Sequence, residues 1–183
     1  MKSVTHIFTI RERLSQISYT GRCVIGSVSV LNILKRNEKC FNLFPRNILK
    51  QLNILTDEIY SGNLFKIFSF ENRDQKWVIL EDVLLRCDIN SDDEQLSRII
   101  EICENYMAVI NRDDIKALVS CLELDFDDLT YWCGILHPTL DQFENEYVDK
   151  LIKNQENICE YLINNNDINQ EYNISNYKMF DLV

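Results

Sequence analysis

SDDEQLSRIIEICENYMAVINRDDIKALVSCLELDFDDLTYW, residues 91–132, decides the fold class. Its apolar residues Leu96, Ile99, Ile100, Cys103, Met107 and Ile110 recur at steps of one, three and four, which is one face of an α-helix. Ser91 opens that helix with a capping-box pattern, in which its hydroxyl accepts from the Glu94 amide and the Glu94 carboxylate reaches back to the Ser91 amide. Asn111 is expected to cap a shorter helix bearing Ile115, Leu118, Val119 and Leu122. Asp125 can cap a further one ending near Gly134, since glycine suits the left-handed residue that follows a helix. The stretch from Ile115 to Trp132 thereby acquires the spacing of two helices, with Glu123-Leu124-Asp125 as the turn.

Working outward, Pro138 and Thr139 open a long last helix carrying Leu140, Phe143, Tyr147, Leu151, Ile158 and Leu162. Beyond Ile163 the chain is too polar and Asn-rich to be a stable helix. On the other side, NLFKIFSF and KWVIL flank the polar ENRDQ, which predicts a hairpin at residues 64–70 and 76–80. Pro45 is tolerated as a first helical residue, and Ile48, Leu52, Leu55 and Ile59 follow on one face up to the stop at Ser61-Gly62. From Cys23 to Arg36, Val24, Val28, Leu31 and Leu34 fit a helical face, while Ser27, Ser29 and three valines would also suit a strand; helix is the favoured reading. Residues 2–10, KSVTHIFTI, are β-branched and partly alternating and read as a short strand. The fold class is therefore mainly α with a minor β element: a helical domain over residues 1–163 with a short N-terminal strand or hairpin, and an extended tail over 164–183.

With 183 residues, 46% of them hydrophobic, the chain can bury a real core, and 4 Gly and 2 Pro leave little material for a turn-rich β sandwich. No apolar run reaches the roughly 18 residues that span a bilayer. The start, MKSVTHIFTIRER, lacks a signal-peptide h-region, so a cytoplasmic protein without a membrane partner is expected. The 7 cysteines (Cys23, Cys40, Cys87, Cys103, Cys121, Cys133, Cys159) are odd in number and form no C-x-x-C pair. They read as reduced core residues rather than as disulfides or a zinc site. Asn and Ile in excess of Ala and Gly point to an AT-rich genome.

Chemistry finds little to work with. His6 and His137 have no Ser or Cys placed as nucleophile and base, and no phosphate-binding glycine loop or H-E-x-x-H stands in the chain. DINSDDEQLSRI fails as a calcium loop because its sixth residue is Asp93 and its twelfth Ile99. Asp127 and Asp128 read as a solvated helix face. They also speak against DNA reading by the helix pair, because a recognition helix needs cations or amides near phosphates and base edges. No catalytic residue, cofactor or metal is expected.

Charge is more informative. The first fifty residues hold nine cations (Lys2, Arg11, Arg13, Arg22, Lys35, Arg36, Lys39, Arg46, Lys50) against Glu12 and Glu38, a local +7 in a chain of net −10. This segregation fits either a basic face aimed at phosphates or attraction between the two halves of the chain. The RNA-facing candidates are Arg11, Arg13, Arg22, Lys35, Arg36, Lys39, Arg46 and Lys50. At the other end, Tyr177, Lys178, Met179, Phe180 and Leu182 concentrate anchors suited to a partner crevice.

The AT-biased small chain, the +7 segment and the closing NYKMFDLV resemble in kind the dormancy factors of microsporidia. That resemblance implies a non-enzymatic factor that docks on the ribosome, on rRNA and ribosomal proteins, and blocks a site such as the tRNA exit site with its tail. A second resemblance rests on Thr130-Tyr131-Trp132-Cys133-Gly134 followed by His137-Pro138-Thr139. It is similar to a stretch after a core helix in poxviral Bcl-2-like inhibitors of immune signalling, and implies a helical decoy that binds host signalling proteins. The basic N-terminal third and the expected hairpin depart from that all-α pattern.

Overall fold

His6 and Ile10 are buried while Phe8, between them, is 64% exposed. In a strand all three would share one face, so this pattern belongs to a helix. The computed structural model describes residues 2–38, 94–132 and 146–165, together with positions 46, 49–50, 53–54 and 57. In it Lys2–Leu14 forms helix α1, in place of the expected strand. The helical penalty of β-branched residues is at most about 0.7 kcal/mol each. Full burial of an Ile or Leu such as Ile10 and Leu14 yields roughly 1.5–3 kcal/mol, so packing decides.

A tight turn leads to Ser18, whose Oγ accepts from the Gly21 amide at 3.2 Å and caps α2, Tyr19–Asn37. Here the helical reading of residues 23–36 holds. Residues 21 and 23–34 of α2 are buried without interruption, so it is enclosed on all sides, as an apolar-all-round helix must be. Glu94–Arg112 forms α3, which buries Ile99, Ile102, Cys103, Tyr106 and Val109. Residues 91–93, including the expected cap Ser91, lie outside the described residues.

Asp113 ends α3 in the left-handed conformation, with φ 54°. Asp114 then caps α4, Ile115–Trp132, its Oδ1 accepting from the amides of Lys116 at 2.9 Å and Ala117 at 3.2 Å. The expected cap, Asn111, is still inside α3. The expected turn at Glu123-Leu124-Asp125 is also absent, because α4 runs through it unbroken. Asp125 and Asp128 are buried in the same stripe as Leu118, Cys121 and Leu122 and are neutralised there from α2, so the acids need no solvent-facing break. Glu146–Asn164 forms α5, with Val148, Leu151, Gln155, Ile158, Cys159 and Leu162 inward.

The five helices form a domain in which α2 packs against α3, α4 and α5, while α1 lies on α4 and α5. Among the described residues there is no strand. The single positions Arg46, Leu49, Lys50, Asn53, Ile54 and Asp57 are helical, and Leu49 packs on the main core. The apolar face read at Ile48, Leu52, Leu55 and Ile59, the hairpin at 64–80, the helix start at 138–145 and the tail beyond Asn165 lie outside the described residues.

Gly26 of α2 packs directly against Tyr106 of α3. A Cβ there would stand 2.7 Å from Cδ2 of Tyr106, a ring only 2% exposed that has little room to move. Gly26→Ala is therefore expected to lower stability by about 1–3 kcal/mol in urea unfolding at unchanged slope. An unaltered midpoint would show that the two helices are not this close.

Candidate functional site

The valine-rich α2 carries three polar side chains on one side near its end, Asn32, Arg36 and Asn37, at i, i+4 and i+5. They meet Asp125 and Asp128, one turn apart on α4. Arg36 Nη2 donates to Asp125 Oδ1 at 2.5 Å and Nε donates to Asp128 Oδ2 at 2.7 Å. Asn32 Nδ2 donates to the second oxygen of Asp125 at 2.9 Å, and Asn37 Nδ2 to the second oxygen of Asp128 at 3.0 Å. Both carboxylates are thus saturated from a single helix. The Arg36 side chain is only 9% exposed and the two carboxylates 1% and 0%. Such a network is weak evidence of net stability, because desolvation of three charges cancels much of their attraction. Breaking it is costly, however, so it fixes which residues of α2 and α4 face each other.

Arg22 makes a second staple. It binds Asp113 with two nitrogens, Nε to Oδ1 at 2.7 Å, and its Nη1 donates to the Leu14 carbonyl at 3.3 Å and to the Ile17 carbonyl. Beside it the Tyr19 hydroxyl donates to the Ile110 carbonyl at 2.5 Å. One guanidinium therefore holds the end of α1 to the turn between α3 and α4.

These placements divide the eight candidate RNA contacts. Arg36 is a correction: it is turned inward and committed to Asp125 and Asp128 rather than presented to phosphates. Arg22 is half-buried and engaged with Asp113, and Arg13 is half-buried. Arg11, Lys35, Arg46 and Lys50 are exposed. Lys39 and the tail anchors Tyr177, Lys178, Met179, Phe180 and Leu182 lie outside the described residues. Asp128 is a second correction, since the expected solvated acid is fully buried. Asp127 beside it is exposed, as read.

Of the motif shared with the poxviral resemblance, Thr130 is buried at the end of α4 and Tyr131 lies under the Arg98 guanidinium, 4.3 Å from the ring centroid. Residues 133–139 are outside the described residues. His6 is enclosed in α1, with Nε2 2.8 Å from Gln155 Oε1 and Nδ1 3.6 Å from Glu156 Oε1.

Cys23, Cys103, Cys121 and Cys159 are free and buried, as the sequence suggested. Desolvation pushes the thiols of Cys23, Cys103 and Cys159 up to about 12 and that of Cys121 up as well, which removes the thiolate a nucleophile needs. No group of three His, Cys, Asp or Glu among the described residues could hold a metal ion. No helix among them is long and apolar enough to cross a membrane. Comparison of the chain with protein-family models, with curated proteins and with solved structures finds no match in any of the three.

Burial holds the Asp125 carboxyl above its ordinary 3.8, a push that Arg36 and Asn32 oppose without overcoming. A carboxyl raised on folding contributes stability that is complete below the ordinary value and lost as pH rises through the raised one. Lowering the pH from about 7 to about 4 should therefore favour the wild type over Asp125→Asn, which cannot take up that proton. The check is urea unfolding of both proteins across the range; a gap that stays constant or shrinks on acidification contradicts the assignment.

Proposed function

We propose that the chain is a non-enzymatic, cytoplasmic binding protein: a helical decoy of the poxviral Bcl-2-like kind, acting on a protein of host signalling. The observation that carries this reading is the enclosure of α2, an almost wholly buried helix packed against α3, α4 and α5. Two features had stood against the resemblance. One, the expected hairpin at residues 64–80, lies outside the described residues, while the start of the chain, expected as a strand, is helix α1. The other, the basic N-terminal third, is partly consumed inside the fold, with Arg22 and Arg36 paired to Asp113 and Asp125/Asp128. Thr130 and Tyr131 lie in the last turn of α4, whereas the resemblance concerns a stretch that follows a core helix. A helical body in which the described thiols, Cys23, Cys103, Cys121 and Cys159, are buried and protonated suits occupation of a surface better than catalysis.

The ribosome-docking reading keeps one specific support, the exposed Arg11, Lys35, Arg46 and Lys50. On that reading these cations meet rRNA and the tail enters a ribosomal crevice. The two readings part on salt, because contacts to phosphates release counterions and weaken steeply as salt rises.

Expressed in host cells given an innate immune agonist, the chain is expected to lower reporter induction. The purified protein is expected to stay in the supernatant when ribosomes are pelleted, at low and at high salt. Pelleting that fades with salt, is lost on removing residues 174–183, and accompanies normal signalling would establish the second reading instead. Normal signalling without pelleting would defeat both.

A further inference from the structure

We infer that one buried water molecule joins α5 to α2, bound between the side-chain amides of Gln155 and Asn32. A cavity of about 10 Å³ lies among α2, α4 and α5, lined by Ser29, Asn32, Asp125, Asn154 and Gln155 together with apolar side chains. Gln155 and Asn32 are 5% and 3% exposed. Gln155 Nε2 and Asn32 Oδ1 are both buried without a protein partner, although each amide uses its other end. Buried polar atoms are satisfied in the great majority of folded proteins, so two orphans on the wall of one cavity point to a shared ligand.

Size and chemistry both select water. Space for a water-sized sphere of roughly 10–15 Å³ accommodates one water molecule and nothing larger. The ligand must also accept from one amide and donate to the other. Asn32 is fixed in orientation, because its Nδ2 has to face the Asp125 carboxylate at 2.9 Å, which leaves Oδ1 for the cavity. Gln155 offers Nε2 to the cavity when His6 donates to Oε1 through Nε2. Should the imidazole carry its proton on Nδ1, the amide turns over and offers Oε1 instead. A water, with two donors and two acceptors, meets either arrangement, whereas an ion of fixed sign meets only one.

The consequence is a continuous polar path through the interior: His6 on α1, Gln155 on α5, the water, Asn32 on α2, Asp125 on α4 and back to Arg36 on α2. It ties α1 and α5 to the ion-pair network without any direct side-chain bond from α5 to Asn32. The inference does not depend on which partner the protein binds.

The test is NMR on the full chain in water, reading NOE and ROE cross-peaks between the water line and the side-chain amide protons of Asn32 and Gln155. Cross-peaks of opposite sign in the two experiments, the signature of a long-lived bound water, are expected at both residues. Sharp amide signals without such cross-peaks, or with same-sign exchange peaks alone, would overturn the inference. In Gln155→Met, which keeps the length but removes the amide, the cross-peak at Asn32 should disappear while the helical far-UV spectrum remains. Its persistence would refute the bridge, and if that variant does not fold the wild-type spectra decide alone.

Discussion

Arg36 reaches out of the most buried helix of the domain and supplies charge to two carboxylates that would otherwise stand bare in the interior. Each oxygen of Asp125 and Asp128 receives a donor from α2, two from Arg36 and one each from Asn32 and Asn37. An ionised carboxylate buried without a partner is far more costly than a misplaced methyl group. The pairing therefore selects one alignment of α2 on α4, where apolar side chains alone would tolerate several. The close approach of α3 at Gly26 and the layer of α5 over the polar end of α2 are compatible with that one alignment. Arg22 does the same between turns, holding the end of α1 against the α3–α4 corner.

Much of this was open to reading from the residues. The apolar periodicities of α3 and α5 reflect one buried face each, and a single face is what periodicity reports. Residues 23–36 were ambiguous for a physical reason: a helix enclosed on all sides has no polar face, so Val24 to Leu34 lack the contrast that separates helix from strand. Residues 2–10 misled because β-branched side chains mark a local preference that burial of Ile10 and Leu14 outweighs. Asp125 misled in the opposite sense, since an acid after Leu124 looks like a cap until its cation is located 89 positions away. The one local hint was the polar triplet Asn32, Arg36 and Asn37 on one side of a valine-rich helix, a pattern that an apolar environment tolerates only with partners opposite. Gln155, whose role depends on contacts from α1, left no such hint.

The same pairs recast the charge pattern. A +7 segment beside an acidic remainder had two readings, an outward basic face or attraction within the chain, and Arg22 and Arg36 belong to the second. Among the described residues, the exposed cations of that segment are Arg11 and Lys35 on α1 and α2, with Arg46 and Lys50 beyond them. Charge segregated along a sequence can thus serve assembly of the fold, and its use as a sign of nucleic-acid binding depends on which cations stay exposed. For this chain that weakens the argument for phosphates and leaves a helical body, whose proposed work is to occupy a protein surface.

The most direct test of the central role given to Arg36 is a double-mutant cycle with Arg36→Met and Asp128→Leu, read by chemical denaturation. The account predicts strong coupling: the single Arg36→Met variant, which strands two acids, should lose about 3–5 kcal/mol, and the double variant should recover part of that loss. Additive effects within about 0.5 kcal/mol would contradict it, because the two side chains would then not be sharing a buried contact.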